Sequence, residues 1–205
     1  MKLLLFSDLH CNSGAAETLV ARATGADVVI GAGDFANGRK GIEICIDILK
    51  QITCPAVLVA GNNESTDELS NACREWPSAH VLHGTGVHLN GVDFFGIGGG
   101  IPVTPFGAWS YDFSEKQAIN LLKNCPTGGV LISHSPPHGV VDLSSSGKHL
   151  GSTAVLAAIK AKSPALVACG HIHGSGGQKV SVKNTIVVNA GPYGVEVTIN
   201  GGTKK

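Results

Sequence analysis

Short apolar runs that stop at a polar residue recur along this chain. Residues 2–6, 27–30 and 55–60 are such runs. They are too uniformly apolar for a strand with one wet face, so each is predicted as a strand buried on both faces. Between them the spacing changes to three and four. A helix is predicted over 15–23, with Ser13 as its N-cap and Gly25 as its stop. A second helix spans 40–51, with apolar residues at 42, 45, 46 and 49 on one face. A third covers 67–75. Strand and helix in alternation imply a parallel sheet with right-handed crossovers.

The pattern then shortens. Residues 81–82, 87–89 and 92–97 read as strands, and Asn90-Gly91 between the last two is a hairpin signal. Residues 98–113 have no period and carry Trp109 and Tyr111 among prolines and glycines, as an ordered loop would. Ser114 caps a helix to 123. A strand over 129–133, a helix opening at Gly151-Ser152-Thr153 and running to 161, and a strand over 165–169 follow. Residues 180–182, 185–188 and 194–199 are predicted as closing antiparallel strands, with Asn184 in a turn and 201–205 frayed. No repeat or linker interrupts the chain, so 1–205 is read as one domain.

Composition narrows the classes. Hydrophobic residues make up 43% and charged residues 15%, which excludes a disordered chain. Lysine plus arginine equals aspartate plus glutamate at 15 each, so no basic excess signals nucleic acid or an anionic membrane. The apolar start at 3–6 breaks at Ser7-Asp8, too early for a secretion signal, and no run is long enough to span a membrane. Six scattered cysteines without CxxC spacing fit reduced thiols, and a cytoplasmic location is expected.

The polar residues that end the strands are chemically selective. Asp8 and His10 follow the first, Asp34 the second, Asn62 the third; His134 follows 129–133, and His171 and His173 follow 165–169. Residues two apart in extended backbone point to one side, so each pair is expected to project together. Open α/β sheets place their sites at these strand ends. Seven donors exceed one tetrahedral zinc site but suit two cations sharing a carboxylate. Mixed imidazole, carboxylate and amide ligands favour Mn, Fe, Zn, Co or Ni over calcium, with Mn the first choice.

In order and spacing, Asp8-x-His10, Gly33-Asp34, Gly61-Asn62, His134 and Gly170-His171-x-His173 resemble the five-block signature of the calcineurin-like metallophosphoesterase family. The resemblance runs from residue 8 to residue 173. It implies a four-layer αββα sandwich, an α/β fold with two mixed sheets face to face and helices outside. It implies Asp8, His10 and His173 on one metal, Asn62, His134 and His171 on the other, and Asp34 bridging. A bridging hydroxide would be the nucleophile, and small phosphoesters the substrates, nucleotide-like ones among them. Ser133-His134-Ser135-Pro136-Pro137 and Gly147-x-His149-x-Gly151-Ser152 look most like a branch of small phosphoesterases and phosphodiesterases.

One position departs. The family motif carries a phosphate-contacting histidine where this chain has Asn63. An amide donates a hydrogen bond but delivers no proton, and losing a general acid commonly costs about 10²–10⁴ in rate. Activated, aryl-type diesters are therefore expected to react better than alkyl esters. His138 is a candidate replacement; His149 and Ser152 are candidate phosphate contacts at a helix N-terminus. Trp109 and Tyr111 are candidates for a stacking lid, and the apolar 87–113 region for a homodimer contact. His80, His83 and His88 are expected to be strand histidines, not ligands. A metal-binding scaffold and a phosphomonoesterase remain the alternatives.

Overall fold

The computed structural model describes residues 1–200, so the frayed end expected over 201–205 lies outside the described residues. The first run is β1 (Lys2–Phe6), followed by α1 (Ser13–Arg22), β2 (Val28–Gly31), α2 (Ile42–Leu49), β3 (Ala56–Leu58), α3 (Thr66–Ala72) and β4 (Ala79–Val81). Strands β1 to β4 are parallel neighbours. The hairpin β5 (Thr85–Leu89) and β6 (Val92–Ile97) starts a second sheet. It continues through α4 (Glu115–Leu122), β7 (Val130–Ser133), α5 (Thr153–Lys162), β8 (Leu166–Cys169), β9 (Lys179–Val182) and β10 (Thr185–Asn189). Its order is β5-β6-β7-β8-β10-β9, parallel from β6 to β10 with antiparallel edges. The last strand, β11 (Val195–Thr198), returns to the first sheet, antiparallel to β1. The closing strands are thus not one antiparallel group: β10 is parallel to β8, and β11 belongs to the other sheet.

Three apolar clusters define four layers. In β1, Leu4 and Phe6 face α1, α2 and α3, where they meet Leu19, Cys45, Ile46 and Leu69. Leu3 and Leu5 face the other way, into the contact between sheets with Ile30, Val57, Ile132 and Ala168. The outer face of the second sheet packs Leu131 and Val167 against Ala118, Leu122, Val155 and Ile159 of α4 and α5. Each fully buried leucine or isoleucine contributes about 1.5–3 kcal/mol, so both faces of β1 are committed to the core.

The caps set the helix ends. Asn12, not Ser13, caps α1: its side chain accepts from Ala15 N, and Ser13 is already helical. Capping boxes start α3 (Ser65 with Glu68) and α4 (Ser114 with Gln117). The Asn90-Gly91 turn is present, both residues having positive φ. Among the described residues, no helix is long and apolar enough to cross a membrane.

Candidate metal centre

The loops after β1, β2, β3, β7 and β8 bring the seven predicted donors together, though not by strand alternation. Asp8 (φ 57°), His10 (φ 45°), Asp34 (φ 58°) and His171 (φ 67°) all lie in the left-handed region, and His173 starts a short 3₁₀ turn. The extended pairs expected from two-residue spacing are therefore corrected: each chain turns sharply at its ligand. Such backbone costs of order 1–3 kcal/mol per residue and persists only when neighbours hold it. Here they do. Asp8 N donates to Gly33 O at 2.9 Å, and His10 N to Asp34 O at 3.0 Å. The approach is so close that a Cβ on Gly170 would lie 2.5 Å from Ser7 Oγ and 2.6 Å from Asp8 Oδ2.

Two groups of donors form. Ligand atoms of Asp8, His10 and His173 lie within 4.8 Å of one another, and so do those of Asp34, His134 and His171. Asp34 stands between them: Oδ2 is 3.5 Å from His10 Nε2, and Oδ1 is 3.5 Å from His134 Nε2. Asn62 Oδ1 lies 3.3 Å from His134 Nε2. The first group is open, with the His173 side chain 63% exposed, whereas His134 and Asp34 are buried.

Surrounding groups aim the donors. His134 Nδ1 is held by Ala32 O at 2.7 Å, which leaves Nε2 directed at Asp34. Asp8 accepts from Ser7 Oγ at 2.6 Å and from His171 N at 2.9 Å. Burial alone would neutralise Asp34 and His134. Their mutual attraction outweighs it and holds Asp34 well below the usual carboxylate range and His134 above the usual imidazole range. Burial, then the His134 charge, pushes His171 down to about 3, so it stands as a neutral ligand. Two carboxylates, one amide oxygen and four imidazoles converging in one place are a fitting donor set for divalent transition ions.

Two supports escaped the sequence reading. Glu64 is 1% exposed and caps three backbone donors: Gly61 N at 2.6 Å, Asp34 N at 2.9 Å and Ala36 N at 2.9 Å. It staples the β2 loop to the β3 loop, and its only sequence signal was a carboxylate two residues after Asn62. Ser110 accepts from Asn62 Nδ2 at 3.0 Å and donates to Asp112 Oδ1 at 2.9 Å, while Asp112 also takes Thr104 N and Oγ1. This chain of bonds turns the Asn62 oxygen toward His134. Nothing in the aperiodic 98–113 stretch marked it.

The remaining candidates sort differently. Asn63 is 7% exposed; its Nδ2 donates to Asp34 Oδ2 at 2.8 Å and its Oδ1 accepts from Gly38 N at 2.8 Å. Its side chain is thus engaged with the carboxylate between the two groups. The α5 N-terminus is already filled, which corrects the expected phosphate contact at Ser152. Ser152 is the buried N-cap, and Glu115 accepts from Ser152 Oγ, Thr153 N and Ala154 N at 2.8–2.9 Å. His149 binds Asp142 at 2.6 Å, and His138 is exposed beside it with ring centroids 6.0 Å apart. Neither lines the cleft at the donors. Tyr111 is no lid: it packs on Phe113 and His83 and its hydroxyl meets Thr66. His83 accepts from Gly98 N, and His88 pairs with Asp93, away from the site. Arg39 binds Glu68 and the Trp109 carbonyl.

The donors open into a cleft of about 510 Å³, walled by Val103, Phe106 and Trp109 of the 98–113 loop, by Leu150 and by Ile172.

Comparisons with known proteins agree with this fold. Residues 1–200 match the family model described as the calcineurin-like phosphoesterase superfamily domain. No curated protein matches the sequence. Among solved structures, TT1561 of Thermus thermophilus superposes with a TM-score of 0.70 at 21% identity, over 93% of this chain and 88% of that one. A dimetal phosphatase from Danio rerio gives 0.61 at 14% identity, over 96% and 91%. A phosphopantetheinyl hydrolase from Mycobacterium tuberculosis gives 0.60 at 17% identity, over 93% and 88%. At these identities the likeness is one of fold: two mixed sheets and flanking helices in an α/β sandwich.

Proposed function

This chain belongs to the calcineurin-like phosphoesterase superfamily, and from that premise we propose that it is a metal-dependent hydrolase that cleaves phosphodiesters. The supporting observation is the placement of Asp34, within 3.5 Å of an imidazole from each donor group. Asp8, His10 and His173 would hold one divalent ion, and Asn62, His134 and His171 the other, with Asp34 shared. Two such ions, when bound, supply Lewis acidity and lower the pKa of water enough to make a nucleophile at neutral pH.

The protein's part is positional. Ser7 and the His171 amide fix Asp8; Ala32 O fixes His134; Ser110 fixes Asn62. Asn63 donates to Asp34 and has no proton to give, so it supplies no general acid to the leaving group. A leaving group stable as an anion needs none, which favours activated diesters over alkyl monoesters. The test is hydrolysis of bis-p-nitrophenyl phosphate with Mn²⁺, beside Asp34→Asn and a chelated control. Turnover by wild type alone supports the proposal. A wild type as inert as both controls while binding Mn²⁺ would shift it to a metal-binding scaffold, and equal rates on alkyl and aryl leaving groups would remove the argument from Asn63.

A further inference from the structure

The cleft beside the donors has a one-sided chemistry. Val103 is 62% exposed, Phe106 53%, Leu150 46% and Trp109 41%. Phe106 and Trp109 stack with centroids 5.7 Å apart and planes 21° apart. Among the described residues, no lysine or arginine lines this cleft. Large apolar side chains gathered beside a polar centre mark a binding surface, because leaving them wet is unfavourable. The wall is also fixed in place. Arg39 donates to the Trp109 carbonyl, Asp112 ties down Thr104, and Tyr111 N donates to Asn62 O at 3.0 Å. The loop that orients Asn62 through Ser110 therefore also carries the aromatic pair.

We infer that this cleft selects phosphoesters whose organic group is apolar and aromatic, seated against Phe106 and Trp109 while the phosphoryl group meets the metal ligands. The inference rests on the phosphoesterase reading. Charge decides the class: a ligand with further phosphates would find no lysine or arginine among the described cleft residues to balance them, whereas an uncharged ring loses nothing by entering. A rigid, stacked aromatic wall favours a flat ring.

The test is calorimetric binding of methylphosphonate and 1-naphthylmethylphosphonate to the full chain in Mn²⁺. Wild type should bind the naphthyl ligand about tenfold tighter. In Phe106→Ala/Trp109→Ala the difference should shrink below about threefold, with methylphosphonate affinity and Tm unchanged. Trp109→Phe, which keeps a ring, should retain most of it. Equal affinities in wild type, or a difference that survives the double substitution, overturn this inference alone. A wild type that binds neither phosphonate overturns it together with the phosphoesterase reading.

Discussion

Replacing Glu64 by glutamine exchanges one oxygen for an amino group among backbone donors. Oε1 takes Gly61 N and Asp34 N, and Oε2 takes Ala36 N. Glutamine has one acceptor oxygen. If it keeps the first two donors, its NH₂ faces the Ala36 N–H, donor against donor; if it turns over, two bonds are lost. One lost bond to a charged group costs about 1.5–3 kcal/mol, and the two that remain become roughly half as strong once the charge is gone. One effect opposes this. Burial and the Asp34 charge push the Glu64 carboxyl up to about 7, against the pull of the backbone donors, so removing its charge returns part of the loss. The net expectation is destabilisation by about 2–4 kcal/mol. For a chain of this size that lowers Tm by about 4–16 °C. Calorimetric melting in chelator at neutral pH reads the fold alone. Titration with Mn²⁺ then reads the site, whose affinity should fall about 10–100-fold because the Asp34 and Gly61 loops lose their staple. A variant that melts within about 2 °C of wild type and binds Mn²⁺ equally well would refute this account of Glu64.

Asp112→Asn weakens the hold on Ser110 and hence on Asn62, so Mn²⁺-dependent turnover should drop about 10–100-fold with Tm little changed; unchanged kinetics would disconnect that chain from the site. Glu115→Gln removes a carboxylate from the α5 N-terminus and should cost about 1–2 kcal/mol in a denaturant melt while leaving turnover intact. Lost turnover would restore that helix end as a phosphate contact. Asp142 gives a pH signature: burial works against its charge, but the His149 hydrogen bond and the Gly139 and Gly151 N–H groups outweigh it and hold its pKa below the usual carboxylate range. A depressed carboxyl adds stability above its unfolded pKa and loses it as pH falls through the folded one. The stability gap between wild type and Asp142→Asn should therefore close on acidification below the ordinary carboxylate range. A gap that persists there would deny the linkage.

The donors were legible because chemistry concentrates where apolar runs stop. Asp8, His10, Asp34, Asn62, His134, His171 and His173 each sit at such a stop, and the structure gathers all seven. The family and its layered fold followed from their order. What eluded the sequence was backbone direction. Two-residue spacing suggested extended pairs, yet Asp8, His10 and His171 are left-handed, a conformation that Asp and His enter more readily than most residues but that tertiary hydrogen bonds select here. The same reason hid the fate of Ser152: an N-cap signal is local, but the carboxylate that fills it comes from Glu115, in α4. The aromatic wall was half legible: Trp109 was a stacking candidate, but Phe106 was not, and an aperiodic loop gives no sign of which aromatic turns out; Tyr111, two residues on, turns in.

The place of β1 between β2 and β11 has a consequence for how this protein is made. Lys2 pairs with Thr198 and Leu5 with Val195, and the Asp8 carboxylate meets His171 and His173. A ribosome adds about 5–20 residues per second, so roughly 10–40 s pass between synthesis of the first strand and of its outer neighbour. Through that interval one edge of Leu3-Leu4-Leu5 has no partner, and for most of it the site lacks the donors from its far end. The nascent chain thus presents an apolar, open-edged strand for longer than almost any other part of itself. Premature termination between Asn62 and β8 would yield a polypeptide holding Asp8, Asp34 and Asn62 but unable to close either group of metal donors.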